Sequence, residues 1–586
     1  MRETKTLTLL VLTMETLEGQ ISPGEISSLA SYLSSYHRVQ GSPGIVEVAE
    51  AISDYLNDNG IDSVILKYQH DKSLYPFESD LLGWSIKSAN LKLISPHRLQ
   101  ISSFPFIPTS VVAHSPPGSF SGEVLHIPRL KEAIREAEGK VVLSPHFSFE
   151  SYINAVKSGA IAAIFYRRTG SSTAFPYYSL FPSQDDIPYL KIPAFTVPRE
   201  LAQIIEGWIE RGKKVVLEGY IEATYTGTAS IPVVEAIFGS GEEEYHITAH
   251  MCHPGMTVND NISGVVGSVA GAVSIKRSNL EEKLIDKKIV FLWIPEFSGT
   301  IAYLRTAVGK RKIRGAINLD MIGEIEDISG SSLNFVRPPV HMLSDLEAKL
   351  LREILRVLPR ERTFSSPIEY PARKLWIVNY ESGSDHDVYV SLGIPAMMLN
   401  FWPDRFYHSS EDTMDKFDPK TAMSIGIAAV RSIISQLSER EVRGYYNMVY
   451  GIDLLKAEPE AASYVESLYC DVGRERGIYF EGCGKIESTL IEEEKTIKLR
   501  AKGYPSFRAY RHRLDRELYE KLLEIQEEHP WIRTVNVLIP SILGWKEVGE
   551  ESLRRIVTGE TGHTIPNEAM RILTEAQRQM GILSWP

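Results

Sequence analysis

Two histidines and three carboxylates between positions 250 and 408 stand after apolar runs of the kind that form buried strands. His250 ends YHITAH, Asp260 sits in VNDN, Glu296 ends KKIVFLWIPE, Asp320 ends GAINLD, and His408 follows IPAMMLNFWPDRFY. In open α/β sheets the loops at the carboxyl ends of strands converge on one crevice, so residues distant in sequence can meet there. Imidazole nitrogen and carboxylate oxygen are zinc-type ligands, and a catalytic zinc keeps one position open for water. Together the five residues predict a metal site. Singly each has a plainer reading: Asp260 is placed to cap the helix that follows it, and Asp320 could simply end its strand in solvent.

The elements that must position these residues read as α/β. Residues 45–59, IVEVAEAISDYLNDN, carry apolar residues at helical spacing and stop at Gly60, a C-terminal helix signal. IDSVILKY then reads as a strand. From 98 to 222 the texture changes to short strands separated by Pro, Ser and Gly, which predicts an inserted β-rich module. Residues 223–438 return to alternating strands and helices, the pattern of a three-layer α/β domain. Within it, ISGVVGSVAGAVSIK is rich in small residues and is expected to pack closely on the sheet. Asp418 and Pro419 open TAMSIGIAAVRSIISQL as N-cap and first-turn proline. The final segment, 440–586, is charged and mostly helical, and predicts a separate α-rich domain.

Composition excludes several classes. Of 586 residues, 43% are apolar and 24% charged, ordinary values for a globular protein. The length predicts two to four domains. A formal net charge of -12 argues against nucleic-acid or anionic-membrane partners. The local basic run Arg508, Arg511, Arg513 and Arg516 reads as a solvated helix face. Three cysteines, Cys252, Cys470 and Cys483, are too few for a disulfide framework. A reducing compartment is the expectation, with a Cys470–Cys483 bridge as the alternative. The TLTLLVLT run lacks the basic start and cleavage site of a signal peptide, and no stretch reaches the ~20 apolar residues of a membrane span, so a cytoplasmic location is expected. GSFSG (118–122) lacks the central serine of a nucleophile elbow, and HExxH is absent.

AHMCHPG, NDNISGV, NLDMIG, SDHDVYVSLGIPA and YHSSEDTMD together resemble the co-catalytic zinc aminopeptidases of metallopeptidase clan MH, whose relatives include bacterial leucyl aminopeptidases, glutamate carboxypeptidase and glutaminyl cyclase. HRVQGSPG (37–44) resembles that family's opening motif. GKVVLSPHFSFESYINAVKSGAIAAIFYR (139–167) resembles the protease-associated domain, a common family accessory. The resemblance implies a three-layer zinc-peptidase domain with a mixed central sheet over 1–97 and 223–438, and a protease-associated insert over 98–222. It implies metal ligands His250, Asp260, Glu296, Asp320 and His408, with Asp260 bridging two metals, His250 and Asp320 completing one and His408 belonging to the other. One or two zinc ions are implied; cobalt or manganese suits the same ligands.

Two positions depart from the family pattern. The aspartate that orients the ligand histidine is replaced by Cys252, which reads either as a weak substitute, with His253 or Asp385 compensating, or, as the preferred reading, as a small buried filler. The family's two adjacent glutamates, a general base and then a ligand, are replaced by Glu296 and Phe297. Aligning the strand without a gap makes Glu296 the base and leaves the His408 metal one ligand short. The opposite reading makes Glu296 a ligand and calls for another base, Glu324 or Glu381. Tyr407 is placed either to donate to the tetrahedral oxyanion or simply to pack, and Asp385 and His386 either to orient ligands or to open a helix capped by Ser384. His37 and Arg38 are left unplaced. The expected function is a metal-dependent aminopeptidase acting on peptide substrates. A carboxypeptidase, with Arg405 reading the carboxylate, a glutaminyl cyclase, and a catalytically inactive binding protein of the same fold are the alternatives. The insert and C-terminal segment are expected to shape access or to make the contacts of a homo-oligomer.

Overall fold

A computed structural model describes residue 17 and residues 19–585, apart from 74, 363, 366–368, 372, 484–485 and 494. The TLTLLVLT run lies outside the described residues. The centre is an eight-stranded mixed sheet. In chain order its strands are β1 (Ser63–Gln69), β2 (Ser230–Phe238), β3 (Glu243–His250), β4 (Lys287–Ile294), β5 (Lys312–Leu319), β6 (Ser332–Val336), β7 (Leu375–Val378) and β8 (Ala396–Trp402). Their spatial order is β1-β2-β4-β3-β5-β8-β6-β7. The run β4-β3-β5-β8 is parallel throughout, so His250, Glu296, Asp320 and the segment leading to His408 all leave the same edge. β4 ends in an unbroken apolar run, Ile289–Ile294, and the last residues of β3 and β5 are likewise buried, as expected where both faces of a sheet are covered.

The helix Gly264–Arg277 carries the small-residue stretch, and its close neighbour is the helix Pro419–Ile434. A Cβ on Gly426 would lie 1.8 Å from the Gly267 carbonyl oxygen, and one on Gly264 would lie 2.1 Å from that of Leu319. The small residues thus let two backbones touch and seat the NDN loop against the end of β5. Asp418 caps the second helix through the Lys420 and Thr421 N–H groups at 3.1 and 3.3 Å, as its sequence predicts.

A second sheet has seven strands. It begins with Leu82–Ser95, which pairs with Val216–Thr228, so the boundary drawn at 98 falls inside it. The long ladder between these two strands is why the element cannot be divided there. The strand, helix, strand reading of 139–167 corresponds to Val141–Ser144, Phe149–Lys157 and Ala162–Phe165. Separate apolar cores fill the two faces of this sheet.

The C-terminal segment is helical and shares one apolar core with the lobe built on the eight-stranded sheet. Buried polar bonds reinforce the joint: Arg337 pairs with Asp453 at 2.8 Å, and Glu560 accepts the Val340 and His341 N–H groups at 2.6 and 3.0 Å. Three of the four arginines read as a solvated face are part of this joint instead. Arg508 pairs with Glu78 at 3.2 Å, Arg511 lies 3.8 Å over the Phe149 ring, and Arg513 donates to the Pro76 carbonyl. Arg516 alone stays in solvent, 91% exposed. Their planar cations find aromatic rings and carboxylates on neighbouring elements, which local charge spacing cannot disclose. Cys470 and Cys483 are joined in a disulfide, which corrects the expectation of unpaired thiols, whereas Cys252 is free and buried. Among the described residues, no helix is long and apolar enough to cross a membrane.

Two buried histidines give this fold a pH signature. Burial pushes His70 down to about 3 and His114 to about 4, so both stay neutral when folded and take up a proton near pH 6.5 when unfolded. Their contribution is complete above pH 6.5 and is lost as pH falls toward those values, at up to about 1.4 kcal/mol per pH unit for each. His70 stacks on Tyr75 with ring centroids 3.9 Å apart. The substitution His70→Phe keeps that stack and removes one proton. Its urea midpoint should fall less steeply than that of the parent between pH 7 and pH 5, and parallel slopes would contradict the assignment.

Candidate active site

The five sequence-predicted residues meet at the carboxyl edge of β4-β3-β5-β8 in two adjoining constellations. In one, His250, Glu296 and Asp320 offer ligand atoms within 4.8 Å of one another. His250 Nε2 lies 3.2 Å from Asp320 Oδ1 and 3.4 Å from Asp260 Oδ1. In the other, His408 Nε2 lies 3.0 Å from Asp260 Oδ2, and His253 Nε2 lies 3.6 Å from the same oxygen. Asp260 therefore turns one oxygen to each constellation.

Asp260 is only 3% exposed. Its backbone N–H and that of Asn259 donate to Asp412 at 3.0 and 2.7 Å. Asn261, next to it, donates to the Leu319 carbonyl at 2.9 Å and accepts from the Met321 N–H at 2.9 Å. These bonds tie the NDN loop to the strand end that carries Asp320. Burial alone would raise the Asp260 pKa, but His253, His408 and His250 outweigh it and hold the carboxyl below its ordinary range. The carboxylate is thus in the ionised form that binds a cation. Asp260 Oδ2 makes no hydrogen bond of acceptable geometry, and the donors are imidazole and carboxylate, a set that suits zinc.

Glu296 sits where β4 turns into the helix Ser298–Ala307. Phe297, in the place of the family's second glutamate, has φ 56° and ψ -58°. Asp385 stabilises this turn by accepting the Phe297 N–H at 2.7 Å and the Thr300 hydroxyl at 2.5 Å. From the opening motif, Gln40 donates to the Glu296 carbonyl at 3.0 Å. Burial pushes the Glu296 carboxyl well above its ordinary range; Asp320, Asp385 and Asp260 add to the effect and His250 opposes it. Glu324 is buried beside Asp404 and Asp412, Glu381 is exposed, and neither belongs to a constellation among the described residues.

Cys252 is more than filler. Its Sγ lies 3.6 Å from His250 Nδ1 and accepts the Glu296 N–H at 3.3 Å, joining His250 to the glutamate turn. Asp385 and Ser384 act otherwise than as caps: no side chain caps the helix His386–Ser391, and Ser384 accepts from Asn318 at 2.8 Å. His386 faces the Glu381 carbonyl at 2.9 Å. Tyr407 stacks on His408 with centroids 3.8 Å apart. Burial, with Asp260, Glu296 and Asp320 nearby, keeps its hydroxyl protonated well above the ordinary range, as a hydrogen-bond donor must be.

Several positioning residues escaped the sequence reading. Arg38, fully buried, donates to the Pro254 and Thr257 carbonyls at 2.9 and 2.8 Å and clamps the turn after His253. From the insert, Arg167 donates to the Tyr407 and His408 carbonyls at 2.7 and 3.1 Å, and the Tyr177 ring lies 5.1 Å from both the His253 and His408 rings. The HRVQG motif pointed to the first of these. Nothing local in 167–177 marks the others, because their partners lie on remote segments of the chain.

The mixed sheet, with histidines and carboxylates gathered at the carboxyl edge of its parallel strands, has the layout of the zinc-peptidase-like fold. Residues 233–433 match the sequence pattern of "Peptidase family M28". No curated protein matches the chain. Among solved structures, the chain is 15% identical to the peptidase M28 precursor from Shewanella amazonensis SB2B, covering 74% of this chain and 97% of that one at a TM-score of 0.54. Similarity extends to BSAP, a zinc aminopeptidase from Bacillus subtilis (16% identity, 72% and 96% covered, TM-score 0.49). A glutaminyl cyclase from Fimbriiglobus ruber also matches (11%, 71% and 96%, TM-score 0.33).

Asp412 touches no ligand atom directly and holds the Asp260 backbone from behind. Asp412→Asn sets an amide against one of the two N–H donors and should weaken zinc binding tenfold to a hundredfold, the usual effect of losing such support. Competition with a chromophoric chelator would measure it; unchanged affinity would remove Asp412 from the site.

Proposed function

We propose that the chain is a metal-dependent aminopeptidase, removing residues from the free N-terminus of peptides. The observation that carries this reading is the convergence of His250, Asp260, Asp320 and His408 on one buried crevice with Glu296 beside them. A divalent ion held there would lower the pKa of a water molecule and polarise the scissile carbonyl. Glu296 is the general base: a divalent ion beside it would offset the burial that raises its pKa and favour the carboxylate, which takes the proton of the attacking water and returns it to the leaving amine. Tyr407 donates its hydroxyl to the oxygen that becomes negative in the tetrahedral state.

The choice of terminus rests on charge. A carboxypeptidase needs a cation free to meet the substrate carboxylate. Arg405 donates Nε to the Ile328 carbonyl at 2.9 Å, and Arg38 and Arg167 are engaged by backbone carbonyls. Around the constellations the buried side chains Asp385, Asp404 and Asp412 are acidic, with carboxyls that burial raises to about 6, 6 and 7, an environment in which an ammonium group would meet partly ionised carboxyls. Retention of Glu296 against the ligand set weighs against a binding protein without catalysis.

Mass spectrometry of peptides with free, N-blocked and C-blocked ends tests the reading. Stepwise, chelator-sensitive loss from free N-termini is expected; loss from free C-termini alone would favour a carboxypeptidase, and no cleavage of any peptide would count against a general exopeptidase. Glu296→Gln should lower kcat by about 10²–10⁴ with metal content unchanged. Metal loss in that variant would make Glu296 a ligand instead.

A further inference from the structure

The family's second metal position draws a ligand from the second of two adjacent glutamates, and here that place holds Phe297. The ring of Phe297 stacks on Tyr504 of the C-terminal segment with centroids 5.1 Å apart. Glu296 does not substitute for the lost ligand, because its carboxylate groups with His250 and Asp320 rather than with His408. The geometry points to His253 as the replacement: His253, His408 and Asp260 form a second metal position, so the centre is dinuclear with Asp260 as the bridge. This inference rests on the metallopeptidase reading above and specifies its ligands.

Three observations carry it. First, the spacing fits. Two ligands about 2.05 Å from a tetrahedral zinc stand about 3.3 Å apart. The three edges among His253 Nε2, His408 Nε2 and Asp260 Oδ2 are 3.1, 3.0 and 3.6 Å. The His250, Asp320 and Asp260 atoms, at 3.2 and 3.4 Å, repeat the pattern on the other side of the bridge.

Second, the tautomer fits. His253 Nδ1 lies 2.7 Å from the Cys252 carbonyl, a contact that requires the proton on Nδ1 and leaves the Nε2 lone pair facing His408 and Asp260. Two imidazole nitrogens and a carboxylate oxygen converge there, with His253 and Asp260 buried and His408 26% exposed, an arrangement that calls for a cation between them. Third, the position is built. His253 has φ 119°, its N–H reaches the Arg38 carbonyl at 3.2 Å, Arg38 clamps the turn behind it, and Tyr177 packs edge-on against its ring.

Exchanging a carboxylate for a neutral imidazole removes one negative charge from this position. An imidazole-rich set favours zinc and cobalt over manganese, whereas a carboxylate favours manganese. The second position should therefore discriminate against manganese more strongly than one built with glutamate.

The test is metal stoichiometry, independent of turnover. Full-length protein stripped by chelator is loaded with Zn²⁺ or Co²⁺, freed of excess, and assayed by inductively coupled plasma mass spectrometry, with affinities from competition titration. The parent should hold two ions per chain, His253→Ala one, and His253→Glu, which restores the family's carboxylate, two with raised manganese affinity. The visible spectrum of the cobalt form should lose one component in His253→Ala. If that variant does not fold, the His253→Glu arm decides alone, since unchanged manganese affinity contradicts the assignment. Two ions held with unchanged affinity in His253→Ala overturn it, as does a single ion in the parent that is lost on Asp320→Ala but not on His253→Ala; either result leaves the peptidase reading standing. No bound ion in the parent overturns both.

Discussion

The buried carboxylate of Asp260 is the constraint on which the rest of the structure depends. It lies out of water with imidazoles on both sides, and an arrangement of this kind holds only if every neighbour is fixed. Three devices do the fixing. Asp412 takes the two backbone N–H groups of the NDN loop, Asn261 ties the loop to the end of β5, and the glycine contacts between two helices bring that loop down onto the strand end. Left-handed backbone at His253, Phe297, Met321 and His408 gathers around the same point. Such conformations cost of order 1–3 kcal/mol each and persist where the surroundings over-determine them. At this site the surroundings are a ring of hydrogen bonds to backbone groups.

The insert and the C-terminal helices are structural parts of the crevice. Arg167 and Tyr177 of the insert hold the segment that carries Tyr407 and His408. Tyr504 of the C-terminal segment stacks on Phe297, beside the glutamate, and Thr534 accepts the Ser382 N–H at 3.1 Å near the turn that carries Asp385. Both additions therefore press on loops that leave the carboxyl edge of the sheet. A shared apolar core and the arginine contacts at Glu78 and Pro76 make the C-terminal helices continuous with the lobe of the eight-stranded sheet, and Arg511 over Phe149 ties them to the insert.

The two departures from the family pattern are linked through the backbone. Cys252 contacts both the ligand histidine and the glutamate turn, and its carbonyl receives the ring of His253. The CHP sequence thus replaces an orienting carboxylate and adds an imidazole within two adjacent residues. The glutamate turn, relieved of its second acidic residue, offers an aromatic ring to the C-terminal helices instead.

By itself the sequence determined the alternation of strands and helices, the strand ends at His250, Glu296 and Asp320, the Asp418 cap and the set of ligand residue types. These follow from periodicity, turn chemistry and side-chain donors, all of which are local. Tertiary structure alone decided what depends on distance between remote segments: that His253 faces His408, that Cys252 reaches the glutamate turn, that Arg508, Arg511 and Arg513 join elements rather than face water, and that the second sheet begins at Leu82. The physical reason is the same in each case. A side chain's type limits the partners it can take, but the partner it meets is set by sheet order and helix packing, through contacts whose residues stand far apart along the chain.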